Sequence, residues 1–259
     1  MARLAKKLVY GILYLSVLGA VIFGIYEIFV KPPFSCTNLR QDAGEEGVDC
    51  GGICSQICLP PDIAPVSIMG DTKVFQVPGS PNAAGILGQV QNPNAFFAAK
   101  SFDYVFKLFD EKGDLIESLK GQSFIYAAEI KYLLVPNVVP NVQIPPGHRF
   151  TSAELSVSNP VWAKSSAFRK PDLAVQNQST GQSGNFIQAL GTVLSRESVL
   201  VPKVLVAVIF SDSKGPKGVS QTEIDNLAPG ESRNFVVNYP AFSDFNKALT
   251  RVLIYGSRQ

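Results

Sequence analysis

Residues 101–110 read SFDYVFKLFD and residues 203–212 read KVLVAVIFSD. In a strand, successive side chains point to opposite faces, so Phe102, Tyr104, Phe106 and Leu108 line one face of the first segment. Val204, Val206, Val208 and Phe210 hold the same places in the second, at an offset of 102 residues. An even offset keeps the parity and therefore the buried face. Each segment runs into a similar turn, Asp110-Glu111-Lys112-Gly113 or Asp212-Ser213-Lys214-Gly215, whose Asp and Gly suit a tight hairpin.

The correspondence extends outward. The same offset pairs Ser123 to Glu129 with Asp225 to Glu231, and a one-residue shift pairs Leu87-Gly88-Gln89-Val90 with Leu190-Gly191-Thr192-Val193. This is an internal duplication. From Pro60-Pro61 onward, short apolar runs alternate with Pro, Gly, Asn and Ser, the punctuation of an all-β chain. The expected architecture is two tandem β-sandwiches, over 63–160 and 161–259. The boundary is expected between Ser158 and Pro171, where Asn159-Pro160 and Arg169-Lys170-Pro171 interrupt the strands; Trp162 between them is expected to pack in a sandwich or at a domain junction, with a binding aromatic as the alternative. Ala127 to Leu134 has helical propensity, but its counterpart around Arg233 to Val237 follows Pro229-Gly230 and carries Phe and Val, so a strand is expected.

L-F-D-x-K-G after an L-G-x-V strand, with L-A-P-G-E-x-x-x-F at Leu227 to Phe235, resembles the FxLYD family of immunoglobulin-like extracytoplasmic domains. The first copy departs at Tyr126-Ala127-Ala128-Glu129 and the second at Phe210-Ser211-Asp212. The resemblance implies seven-stranded immunoglobulin-like sandwiches in a cell-envelope protein, and it implies no activity.

Upstream, residues 8–30 form a 23-residue apolar stretch with one ionisable group, Glu27. At about 1.5 Å per residue such a helix crosses a hydrocarbon layer of roughly 30 Å. Arg3, Lys6 and Lys7 precede it without an acid, so residues 1–7 are expected in the cytoplasm and the rest outside the cell membrane, in a single pass. A cleaved signal peptide is the competing reading; Val17-Leu18-Gly19 is a poor cleavage site, and apolar residues continue beyond it. Ser16, Ala20 and Gly24 recur every four residues on one helix face, where a second helix could approach closely and form a homo-oligomer.

Residues 31–62 form a collar containing all four cysteines, Cys36, Cys50, Cys54 and Cys58. The stretch has too few apolar groups to fold by burial, so a covalent or metallic staple is required. Two disulfides are the first reading, with three pairings open; zinc held by four thiolates is the alternative. Asp42, Glu45, Glu46 and Asp49 gather hard oxygen ligands between flexible glycines and form a candidate calcium set, although not at EF-hand spacing. The pattern C-x-N-x3-D-x-G-E-x-G-V-D-C-G-G-x-C-x3-C resembles a Cys-rich motif of bacterial and archaeal surface proteins, often beside a membrane anchor. It carries no catalytic residue.

A formal charge of +2 from 23 basic and 21 acidic residues gives no basis for nucleic-acid binding. The single histidine, His148, sits in I-P-P-G-H-R, where a turn is expected, and no nucleophile, zinc-protease, P-loop or dinucleotide motif occurs. The chain is therefore read as a non-catalytic binding or adhesion module for an extracytoplasmic protein or glycan, without a cofactor other than the candidate calcium. The loops to examine are Val135 to Asn141 and Gln176 to Asn185. The alternative is a structural or assembly subunit of a cell-envelope complex.

Overall fold

The computed structural model describes residues 2–27, 34–139 and 150–257. Two compact units result, Met1–Pro60 and Pro61–Gln259. In the first, helix α1 (Ala2–Ile25) contains a stretch of 21 residues, Ala5–Ile25, long and apolar enough to cross a membrane. The helix starts before the expected Leu8 because Ala2 to Lys7 are good helix formers that simply extend it. Residues 28–30 of the expected span, and His148, lie outside the described residues.

The second unit is all β. Its first repeat comprises β1 (Ser67–Ile68), β2 (Lys73–Val77), β3 (Ser80–Gln91), β4 (Phe97–Phe109), β5 (Leu115–Ile125), β6 (Ile130–Val138) and β7 (Ser152–Lys164). The second comprises β8 (Leu173–Ser183), β9 (Phe186–Ser195), β10 (Val201–Asp212), β11 (Gly215–Leu227), β12 (Ser232–Pro240) and β13 (Arg251–Ser257). All pairings are antiparallel. Strand orders β2-β3-β6 and β5-β4-β7 in the first repeat match β8-β9-β12 and β11-β10-β13 in the second, with the short β1 added beside β3. The duplication seen in the sequence is thus a duplication of topology.

Each repeat buries its own core between its two sheets. Phe102, Phe106 and Leu108 of β4 meet Ile86, Val90, Ile125 and Leu155; Val204, Val206, Val208 and Phe210 of β10 meet Ile187, Val193, Ile224 and Phe235. The parity read from the sequence is the parity of the fold. The strand expected instead of a helix after Ala127 is β6.

Two expectations are corrected. Strand β7 runs through Asn159-Pro160 to Lys164 and stays paired with β4, so residues 161–164 belong to the first repeat. Proline is tolerated there because β7 is an edge strand, and the register shifts between Ser101 and Asp103 absorb the irregularity. Trp162, opposite Ala99, packs against the first core. Gln176 to Asn185 is not an open loop but the greater part of β8, paired with β9, and the turn between them, with a bulge between Gln176 and Ser179. Likewise, Val135 to Val138 belong to β6, and Pro140 and Asn141 lie outside the described residues.

The turns explain the repeated letters. Asp110 accepts the N–H groups of Lys112 and Asp114, and Asp212 accepts those of Lys214 and Gly215. Glu129 accepts the N–H of Tyr126 at 2.9 Å, and Glu231 that of Ala228 at 2.8 Å. In each case a carboxylate closes its own turn. Ala128 therefore holds the left-handed conformation (φ 51°) that Gly230 holds in the second copy (φ 69°), a strained choice for a residue with a Cβ.

Candidate functional site

The collar folds around two disulfides, Cys36–Cys54 and Cys50–Cys58, with Cα separations of 5.8 and 5.0 Å. No thiolate is left for zinc among the described residues. Its acids bind backbone. Asp49 accepts the N–H groups of Asn38 and Leu39, both at 2.8 Å, while Asp42 accepts those of Ser35 and of the Asn38 side chain. Buried Glu45 accepts from Asp42 and Asp49 and lies 3.1 Å from Cys54 Sγ.

The four acids Asp42, Glu45, Glu46 and Asp49 do not converge on one point. Among the described residues, the group whose ligand atoms do converge is Glu45 with Cys36 and Cys54, and those sulfurs are bonded to each other. The carboxylates stand where a cation's ligands were expected because a chain without a core uses them to satisfy its amides. Gly52 is fixed sterically: an added Cβ would stand 1.8 Å from the Gly44 carbonyl oxygen.

On α1, Ser16, Ala20 and Gly24 share a face, and the Ser16 hydroxyl donates to the Ile12 carbonyl at 2.9 Å. It thus satisfies its own polarity and leaves a small, smooth surface.

The second unit holds a feature that the strand reading of the sequence missed. Phe75, Leu87 and Leu134, on the outer face of β2-β3-β6, form a third core with Ala207, Ile209, Val219 and Tyr255 on the outer face of β11-β10-β13. The two sandwiches are therefore welded into four stacked sheets. The signal was present: KVLVAVIFSD is apolar on both parities, as expected of a strand buried on both faces, whereas SFDYVFKLFD alternates.

Hydrogen bonds cross the same junction. Tyr126 Oη donates to the Gly256 carbonyl at 2.6 Å, the Tyr132 N–H donates to Tyr255 Oη at 3.1 Å, and Arg251 donates to Tyr132 Oη at 3.1 Å. In the connecting segment, Phe168 stacks on Tyr126 at 5.0 Å and Lys170 pairs with buried Glu129 at 2.7 Å.

The weld is incomplete at its margins, where, among the described residues, clefts lined by both repeats remain. One, of about 310 Å³, has Leu87, Tyr132, Ile209 and Pro216 as apolar wall and Lys73 and Arg251 at its charged margin. Another, of about 260 Å³, is lined by Tyr104, Phe124, Tyr132 and Tyr255, with Lys131 and Gln221. Lys131 is 3% exposed; its Nζ donates to the Phe124 carbonyl at 2.7 Å and lies 3.4 Å from the centroid of the Phe124 ring. Burial pushes its ammonium down to about 7, opposed by Glu129 and aided by Lys170. Burial likewise raises the Tyr255 hydroxyl well above its usual range. Gln221 Oε1 is buried without a hydrogen-bond partner among the described residues.

No family model and no curated protein matches the chain. Among solved structures, the crystal structure of red sea bream transglutaminase is similar over 76% of this chain and 32% of that one, at 11% identity and a TM-score of 0.24. This chain thus spans about a third of that protein's length. A likeness so slight carries no argument about activity.

Aromatic walls, a few polar groups and a position between two packed domains are the usual composition and place of a ligand cleft. The carboxylates held below their ordinary range are engaged elsewhere. For Glu231, the Ala228 N–H and then Arg233 hold the carboxyl below its ordinary range. For Asp212, burial pulls the carboxyl upward, but the turn N–H groups and Lys217 outweigh it.

Proposed function

We propose that the chain is a single-pass membrane protein whose paired sandwiches, outside the cytoplasm, act as a non-catalytic binding or adhesion module with its ligand surface at the clefts between the repeats. The FxLYD resemblance of the repeats and the cysteine motif beside an apolar helix support this placement. The third core carries the reading. It fixes the two repeats in one orientation, so that residues from both can be aimed at one ligand without an ordering cost on binding.

The test uses the full chain in native membranes. Crosslinking followed by identification of the captured partner should give an adduct that is lost with Lys73→Glu combined with Arg251→Glu. Retention of the same adduct in that double variant would rule out the larger cleft as the contact. A role as an assembly subunit is the second reading. It predicts instead that Ser16→Leu, Ala20→Leu and Gly24→Leu together dissolve a complex that the cleft variant leaves whole.

A further inference from the structure

The weld uses one outer face of the first repeat, and the second repeat carries the same face uncovered. Leu87 and Leu134 are register partners on β3 and β6, 5% and 8% exposed. Their equivalents, Leu190 and Val236, are register partners on β9 and β12, yet are 41% and 52% exposed. Phe186 continues the patch and is 50% exposed. Between these apolar groups stand Gln, Thr, Asn and Ser, and no ionisable residue faces outward from β8, β9 or β12. The opposite outer face, on β5-β4-β7, carries Asp103, Lys107, Lys120 and Glu154. An apolar centre in a polar surround with no charge to desolvate is the composition of an interface core.

We propose that the outer face of β8-β9-β12 docks a second copy of this chain, same face to same face, about a two-fold axis. The choice of partner follows from the weld. There the complement is an apolar face centred on Ile209 and its register partner Val219, whereas the first repeat has Lys107, between Ser118 and Glu154, at that place. A second copy therefore cannot continue the stack head to tail. The self-complementary arrangement remains, and it sets apolar residues against apolar residues with no like charges opposed.

Three strands about 4.8 Å apart and ten residues long at about 3.3 Å each offer roughly 450 Å² a side, or roughly 900 Å² for the pair. That is slightly less than a stable dimer in solution needs. It suffices when both copies are held in one membrane at high effective concentration, so the proposal rests on the anchor reading.

Photo-crosslinking of the full chain in native membranes tests it. Leu190→p-benzoylphenylalanine should give an adduct of twice the chain mass, and Lys107→p-benzoylphenylalanine should give none. Adding Val236→Asp should lower the Leu190 adduct at least tenfold; a position this exposed tolerates the change in the folded monomer. An adduct of any other mass at Leu190, no adduct, or equal adducts from both positions would overturn the proposal. Carbonate washing of the same membranes reads the anchor separately: a chain that washes off refutes the anchor, while the crosslink still decides the face.

Discussion

Strands β4 and β10 occupy the same place in their repeats, and their inner faces are alike. Phe106 and Leu108 in one, Val208 and Phe210 in the other, are fully buried. Their outer faces differ. β4 turns Asp103, Val105 and Lys107 outward, while β10 turns Leu205, Ala207 and Ile209 into the third core. Three apolar side chains on one strand separate a sheet that ends the stack from one packed inside it. The terminal face on β5-β4-β7 carries charge, and a solvated sheet with charged residues resists unwanted association.

The largest expected effect comes from erasing that difference. Ile209→Lys gives β10 the residue that β4 has, and places an unpaired ammonium in the third core. Unfolding in urea should show a loss of at least about 3 kcal/mol, or a separate early transition for one repeat. The mirror change, Lys107→Ile, should move stability by less than about 0.5 kcal/mol. Equal effects would mean that the third core contributes nothing.

Next in size is reduction of the collar. Losing Cys36–Cys54 and Cys50–Cys58 should cost that segment about 2–4 kcal/mol and open it to proteolysis near Arg40. The melting of both repeats should not move, since neither contains a cysteine.

The junction lysine gives a pH-dependent test. Because the folded Lys131 sits at about 7, below the ordinary lysine value, the unfolded chain binds its proton more readily above that pH. Stability should therefore rise from pH 7 towards about 10, by no more than about 1.4 kcal/mol per pH unit. Lys131→Met should flatten this slope in thermal melts across the range. An unchanged slope would place its origin elsewhere.

The smallest effects distinguish the two turns closed by glutamate. Glu129→Gln leaves Lys170 without its partner beside a buried turn, and should cost about 1–3 kcal/mol by urea titration. Glu231→Gln, at the exposed turn, should cost less. Its carboxyl is held below the ordinary range, so its contribution is complete above the unfolded value and is lost as the pH falls through the folded one. Acid titration of the variant should show that loss missing.

Much of the fold was legible because strand parity is local. Phe102 and Val204 announce their inner faces, and the Asp and Glu turns can be read from neighbouring residues. The bulge before Ser179 and the passage of β7 through Pro160 were not legible, because an edge strand tolerates interruptions that a central strand does not. The collar shows the same limit. Its cysteines and acids are plain in the sequence, but the pairing, and the use of Asp49 on the amides of Asn38 and Leu39, depend on how the chain closes.

The sequence by itself determined the apolar helix, the cysteine-rich stretch, the duplicated strands and the side of each strand that is buried, since these follow from residue type and spacing along the chain. Only the tertiary structure decided that the two repeats share a third core, that the clefts lie between them, and that Leu190 and Val236 are left uncovered where Leu87 and Leu134 are not. Hydrophobicity says that a face must be covered. Which surface covers it is a matter of shape and charge between residues far apart in sequence.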